Sequence, residues 1–294
     1  MRVLVTGALG MLGHDVARAG ERGGHELVLV DLPELDITDE AAVAALLAEL
    51  TARPGGLDGI VNCAAWTDVD GAEEKADAAR AVNAGGAGVL ARAAADAGVR
   101  LVHVSTDYVF DGVAPLDEEG NPRAYLERDP TEPETVYGVT KLEGERAVLG
   151  ASRRHAVART AWLYGVDGAN FPATMLRLAS DRDAVQVVTD QVGSPTWSGH
   201  LAPALLGLLE RGVEGLVHLT GGGHVSWNGF AREIFRQAEV DCRVEPTTSE
   251  QFKRPAPRPA WSALETERDD VLPLPPWQDG LAGYLAARAG MMRA

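Results

Sequence analysis

The 294-residue chain is 46% hydrophobic and 24% charged, the balance of an ordinary soluble globular protein of one or two domains. No apolar run reaches the roughly 18 residues that a membrane span needs, and the N-terminus lacks a signal-peptide pattern, so a cytoplasmic protein is expected. A net charge of −16 argues against nonspecific nucleic-acid binding, and the two cysteines, Cys63 and Cys242, have no partners at metal-ligand spacing, so no disulfide framework or metal site is read.

Apolar runs suited to buried parallel strands occur at 3–6, 26–31, 59–63 and 100–105, with helical patterns between them at 11–22, 39–52 and 72–97. Repeated βα units with right-handed crossovers give a parallel sheet, so the fold class is α/β. A loop of about thirty residues follows, dense in proline, glycine and acidic side chains; loops of that length are usually functional or disordered. A helix at 137–149, a strand at 156–159 and a helix at 171–180 resume the pattern. Beyond about 184 the elements shorten: a strand at 185–188, helices at 198–211 and 227–239, a strand at 215–219, and a proline-rich stretch over 246–276. The reading is a Rossmann-type doubly wound domain over 1–165, with elements to about 183 shared, and a smaller, mainly substrate-binding region over 166–294.

The first strand runs into Gly7, Gly10 and Gly13, spaced G-x-x-G-x-x-G at a strand-to-helix turn. That context suits a dinucleotide: one glycine makes the turn, one admits the pyrophosphate to the backbone, and one packs the helix on the sheet. Asp31 closes the second strand 18 residues after Gly13, where a carboxylate accepts from ribose hydroxyls and disfavours a 2′-phosphate, which leans toward NAD. Asp36 and Ile37 read as a pocket edge for adenine, with Thr38 or Asp39 as the cap of the next helix.

Tyr137 and Lys141 stand four apart at the start of a helix, on one face. An ammonium beside a phenol stabilises the phenolate, so the lysine is expected to bring the tyrosine toward the working pH range. Lysine is scarce, at positions 75, 141 and 253 only. Ser105, Thr106 and Asp107 end the fourth strand, at the sheet edge where doubly wound folds bind ligands. Charge is uneven: residues 1–150 hold 12 basic and 27 acidic side chains, and 151–294 hold 15 and 16, so an anionic ligand finds its cations mainly in the second half. Arg258 in the segment R254-P-A-P-R-P-A-W-S262 is the candidate for a diphosphate; the same segment also reads as a surface linker.

TGxxGxxG, YxxxK and the strand-end hydroxyls resemble the extended short-chain dehydrogenase/reductase family. Within it the chain is similar to the dTDP-4-dehydrorhamnose reductase (RmlD-like) group through L35-D-I-T-D39, N62-C-A-A-W-T-D-V-D70, S105-T-D-Y-V-F110, Y137-G-V-T-K-L-E-G-E145, R159-T-A-W-L-Y164, D190-Q-V-G-S-P-T196 and H218-L-T-G-G-G223. The resemblance implies reduction of the C4 ketone of a dTDP-4-keto-6-deoxy-hexose by NADPH or NADH, with Thr106, Tyr137 and Lys141 catalytic. It implies cofactor contacts from Gly7, Gly10, Met11, Leu12, Gly13, Asp31, Asp36, Ile37, Ala64, Ala65, Trp66, Thr67, Tyr137 and Lys141, and substrate contacts from Thr106, Asp107, Trp162 and Arg258. Trp66 departs from the family's usual residue there. Trp162 also reads as a core aromatic, and Asn83 as either a reductase asparagine or a helix-interior hydrogen bond. The partner is a small nucleotide-sugar, with no nucleic acid or membrane; a homodimer stays open, and Asp15 supports no metal assignment. Three rival readings are a sibling reductase of another 4-keto sugar, a sugar epimerase, and a non-catalytic NADP-binding subunit like that of methionine adenosyltransferase.

Overall fold

The computed structural model describes residues 1–291, so the last three residues of the expected 166–294 region lie outside the description. The chain runs β1 (Arg2–Thr6), α1 (Met11–Arg22), β2 (Glu26–Val30), α2 (Glu40–Ala52), β3 (Gly59–Asn62), α3 (Val69–Glu74), α4 (Ala76–Arg80), α5 (Ala87–Asp96), β4 (Arg100–Thr106), α6 (Val136–Ala151) and β5 (Ala156–Thr160). It continues with β6 (Leu163–Tyr164), α7 (Phe171–Ala179), β7 (Ala184–Val188), β8 (Val192–Gly193), β9 (Thr196–Trp197), α8 (Ser198–Arg211) and β10 (Gly215–His218). The last elements are β11 (Val225–Ser226), α9 (Trp227–Gln237), β12 (Arg243–Thr247), β13 (Trp261–Ser262) and α10 (Trp277–Met291).

The main sheet has the order β10-β5-β4-β3-β1-β2, with every neighbouring pair parallel. The central strands are continuous apolar runs because both faces are covered. Leu12 and Val16 of α1 with Leu201, Leu205 and Leu208 of α8 bury one face; Val43 and Leu47 of α2, Leu90 of α5 and Val148 of α6 bury the other. The strand order reverses between β1 and β3, which opens a crevice at their carboxyl ends, the position where such sheets hold ligands. Among the described residues no helix is long and apolar enough to cross a membrane.

Two features depart from the sequence reading. The single helix expected over 72–97 is two: Lys75, at φ −127° and ψ 48°, separates α3 from a second helix that runs from α4 through a π-helical turn at Ala81–Gly86 into α5 with its backbone helical throughout. The wider turn brings the buried Asn83 amide to the Trp66 backbone and the Thr140 hydroxyl, partners outside its own helix. The boundary at 165 also cuts through the first layer, because α8 and β10 return to the main sheet from beyond it. Hydrophobic periodicity specifies such elements but not which sheet they join. The smaller lobe consists of α7, α9, α10, the parallel pair β7–β12 and the short three-stranded sheet β11-β8-β13 around Tyr164, Phe230, Trp277 and Leu281.

A buried ion pair joins α6 to the sheet. Glu145 accepts from Arg159 Nε at 2.8 Å and Nη2 at 2.7 Å, and from Ser105 Oγ at 2.6 Å. The Arg159 guanidinium also lies 5.0 Å from the Phe110 ring. Removing one partner of a buried pair strands the other's charge, so Glu145→Ala is expected to cost about 3–5 kcal/mol of stability in urea unfolding, whereas replacing both Glu145 and Arg159 by apolar residues recovers most of that loss. A loss under about 1 kcal/mol for the single variant would show that the pair does not anchor the helix.

Candidate active site

Two adjoining clefts open at the carboxyl edge of the sheet, with volumes of about 680 Å³ and 410 Å³. They share Asp107, Tyr108 and Trp162, so a ligand in one meets a ligand in the other at the end of β4.

The larger cleft begins at the glycine turn. Gly7 has φ +70°, and a Cβ on it would fall 2.5 Å from the Ala64 nitrogen; one on Gly13 would fall 2.3 Å from the Gly7 carbonyl oxygen. The tight turn starts α1 at Gly10 with no side-chain cap, and Gly10, Met11, Leu12 and Gly13 line the cleft at the positive end of the helix. These residues fit the diphosphate of a dinucleotide. Asp31 accepts from Leu9 N at 2.9 Å and Leu32 N at 2.8 Å, which fixes its carboxylate at the rim while each oxygen keeps a further acceptor site. Asp36 and Ile37 also line this cleft. The Thr38 N–H and hydroxyl both donate to Asp36 and hold its carboxyl below the usual range, while Asp39 caps α2 through Ala41 N and Ala42 N. Ala64, Ala65 and Thr67 line the wall. The Trp66 side chain does not: its ring packs with Ala72, Ala79 and Tyr137, and its Nε1 donates to Asp68 O at 2.9 Å. Trp66 therefore stands between the cleft-lining Ala65 and Thr67, with its indole on the apolar cluster beside Tyr137.

Thr135 caps α6 by accepting from Gly138 N, and the helix presents Tyr137, Lys141 and Glu145 at successive fourfold spacings, all buried. Gly138 is required by a close approach, since a Cβ there would lie 2.2 Å from the Tyr108 carbonyl oxygen. Tyr137 and Lys141 line the larger cleft with Thr106 and Asp107. Thr106 Oγ1 donates to Asp107 Oδ1 at 2.9 Å and accepts from Tyr108 N at 3.2 Å. Burial pushes Tyr137 up to about 12, with the neighbouring Thr106 hydroxyl opposing it, and burial lowers Lys141 to about 8 against the pull of Glu145 and Cys63. The expected depression of Tyr137 by Lys141 is thus not what the geometry gives. Desolvation of the phenolate wins, and Lys141 Nζ is turned to Val104 O at 2.7 Å. The tyrosine stays a phenol, which is the form a proton donor needs. Burial likewise raises Asp107 to about 6, and its Oδ2 has no hydrogen-bond partner.

Trp162 sits at φ +44°, a conformation that costs a bulky residue of order 1–3 kcal/mol. Two contacts hold it there: its ring stacks on Trp227 with centroids 3.5 Å apart, and its Nε1 donates to Ser262 Oγ at 3.1 Å. It lines both clefts, so the core-aromatic alternative gives way to an aromatic wall between them. Arg258 lines the smaller cleft, with its guanidinium donating to Asp70 Oδ2 at 2.8 Å and to Ala256 O at 2.9 Å. Arg254 stands 3.8 Å from the same carboxylate. The proline-rich stretch therefore bridges to α3 rather than hanging as a linker. The sequence reading missed Trp227, Phe171 and Gln191 in the smaller cleft and His103 beneath the larger one, because only the packing of distant segments brings them there.

The family model described as the RmlD substrate binding domain matches residues 1–289. A dTDP-4-dehydrorhamnose reductase of Mycobacterium tuberculosis is 47% identical over 98% of this chain and 93% of its own length. A dTDP-4-keto-6-deoxy-D-glucose reductase of Streptomyces niveus is 42% identical over 90% of this chain and 88% of its own. Among solved structures, a dTDP-4-dehydrorhamnose reductase of Bacillus anthracis in complex with NADP superposes with a TM-score of 0.89 at 34% identity, covering 97% of this chain and 99% of that one. With a turn built for a diphosphate, a buried Tyr–Lys helix and a family match along nearly its full length, the chain belongs to the RmlD substrate binding domain family.

Proposed function

We propose that this protein is a ketoreductase of dTDP-linked 4-keto-6-deoxy-hexoses, converting dTDP-4-dehydro-L-rhamnose to dTDP-L-rhamnose with NADPH or NADH. The observation that carries the reading is the junction of the two clefts at Asp107, Tyr108 and Trp162, with Thr106 and Tyr137 on the side of the larger cleft. The reductases named in the relatives support the substrate class, and the NADP complex of the Bacillus anthracis protein supports the cofactor. The 42% identity to a dTDP-4-keto-6-deoxy-D-glucose reductase favours a second reading, a sibling substrate at the same site.

In this reading the turn from Gly7 to Gly13 holds the cofactor's diphosphate, Asp31 its adenosine ribose, Asp36 and Ile37 its adenine, and Ala64, Ala65 and Thr67 its nicotinamide side. Bound there, NADPH or NADH supplies hydride from the nicotinamide. Thr106 and Tyr137 bracket the ketone oxygen, and Tyr137, held as a phenol by burial, transfers its proton as negative charge develops on that oxygen. Lys141 stabilises the phenolate left behind. The sugar lies against Trp162, and Arg258 exchanges its Asp70 carboxylate for the diphosphate of the substrate, another anion that accepts from the guanidinium.

Three outcomes follow for purified protein assayed by NAD(P)H absorbance with a panel of nucleotide-4-keto-6-deoxy sugars. Tyr137→Phe is expected to lower turnover about 10²–10⁴-fold with cofactor affinity nearly unchanged, and retention of more than about a hundredth of the rate sinks the proton-donor role. Arg258→Ala is expected to raise KM for the nucleotide-sugar about 10- to 100-fold and leave cofactor KM alone; an unchanged sugar KM removes the diphosphate assignment. Asp31→Ala is expected to shift the NADPH/NADH ratio of kcat/KM toward NADPH, and a constant ratio means that the carboxylate does not face the ribose.

A further inference from the structure

Below the floor of the larger cleft, Thr6, Asn62, His103 and Lys141 form a chain of side chains, each no more than 2% exposed. Thr6 ends β1, Asn62 ends β3, His103 lies inside β4 and Lys141 is on α6, so the chain crosses the sheet at its switch point. None of the cofactor or substrate roles above uses its middle members, Asn62 and His103.

The direction of each bond is decided by one unambiguous donor. The Ala64 backbone N–H points at the Asn62 side chain at 3.0 Å, so the atom that receives it is the carbonyl oxygen, which also accepts from the Thr6 hydroxyl at 2.8 Å. The other end of the amide is therefore NH₂. It stands 2.9 Å from His103 Nδ1 and can only donate, so Nδ1 accepts. A neutral imidazole has one N–H, and it is left on Nε2, which faces Lys141 Nζ at 3.3 Å. An N–H directed at an ammonium meets only hydrogens; directed at a neutral amine it meets the lone pair, while the amine's own hydrogens still reach Val104 O.

We propose that His103 is a positioning residue for Lys141: with its tautomer locked by Asn62, it turns Nε2–H toward the lysine and weakens the lysine's hold on its proton in the free protein. The inference rests on the reading of Lys141 as the partner of Tyr137. Lys141 then binds its proton, taken from solvent, most firmly when an anion or a set of ribose hydroxyls stands on its open side, and is charged before Tyr137 gives its own proton to the ketone oxygen. The other groups facing the lysine agree with this balance. Glu145 on its own helix favours the charge, the half-buried Cys63 just after β3 is held as a neutral thiol with its pKa raised to about 12, and His103 itself is kept uncharged by burial, with Lys141 adding to it.

The tautomer is read directly from two-bond ¹H–¹⁵N correlations of histidine-labelled wild-type protein, which needs no variant to fold. A His103 proton on Nε2 is expected, and a proton on Nδ1 overturns the proposal. Because the chain has only three lysines, ¹³Cε labelling resolves Lys141 and follows its titration. In Asn62→Asp the new carboxylate accepts from Nδ1–H, moves the proton off Nε2 and turns that nitrogen into an acceptor for the ammonium. The Lys141 midpoint is expected to rise by about one pH unit, tenfold in proton affinity, and an unchanged midpoint overturns the proposal. In a His103→Leu background the same substitution is expected to move Lys141 much less; a full rise there assigns the effect to the carboxylate's field and also overturns it. Failure of the underlying reading looks different: Lys141→Met with undiminished turnover removes the lysine from the reaction but leaves the His103 tautomer as measured.

Discussion

The buried pair of Glu145 and Arg159 is the constraint on which the site's geometry rests. It ties one helix, α6, to the centre of the sheet, with Ser105 on β4 as a third member. Tyr137, Lys141 and Glu145 follow at i, i+4 and i+8, so locking the third fixes the rotation of the helix and with it the depth of the first two. The pair is almost fully out of water, where two hydrogen bonds of good geometry and a third from serine satisfy the carboxylate. The far side of the guanidinium reaches His218 Nε2 at 3.5 Å, and His218 Nδ1 in turn lies against the carbonyls of Tyr125 and Glu265. One ion pair thus sets the helix, two strands and part of the long loop in register.

Burial then decides the electrostatics. Tyr137, Lys141, His103 and Asp107 all lie in the same water-poor corner, and in each desolvation is the largest influence on the proton. It pulls each toward its neutral form. Lys141 at about 8 and Asp107 at about 6 are thereby brought close to neutrality, so charge that forms during a reaction meets groups poised to exchange a proton. The strain at Trp162 belongs to the same design, since stacking on Trp227 and a bond to Ser262 keep an unfavourable backbone in place at the wall between the clefts.

Much of the fold was legible because each element satisfies a local rule. The helix at Met11–Arg22 follows the glycine turn, and the one at Glu40–Ala52 begins at the Asp39 cap, as read from the sequence. The segment 72–97 was legible only in part, because alanine favours a helix at every position while the break at Lys75 and the π turn that carries Asn83 to partners on other elements do not follow from that propensity. Helix α10 was missed beyond the proline-rich stretch; its buried Leu281 and Tyr284 have their partners, Phe230 and Tyr164, far back in the chain.

The sequence by itself determined the α/β class, the glycine turn, the fourfold spacing of Tyr137 and Lys141, and the strand-end hydroxyls, because these depend on backbone sterics and helical periodicity, which are local. Tertiary structure alone decided that Trp66 packs on the cluster of Ala72, Ala79 and Tyr137, that Arg258 pairs with Asp70 across 188 positions, that α8 and β10 complete the first sheet, and that Asn62 and His103 stand behind Lys141. Those facts depend on which distant side chains share a desolvated volume. Pairing there is governed by the cost of an unmet hydrogen bond away from water, a cost that exists only once the chain has closed around it.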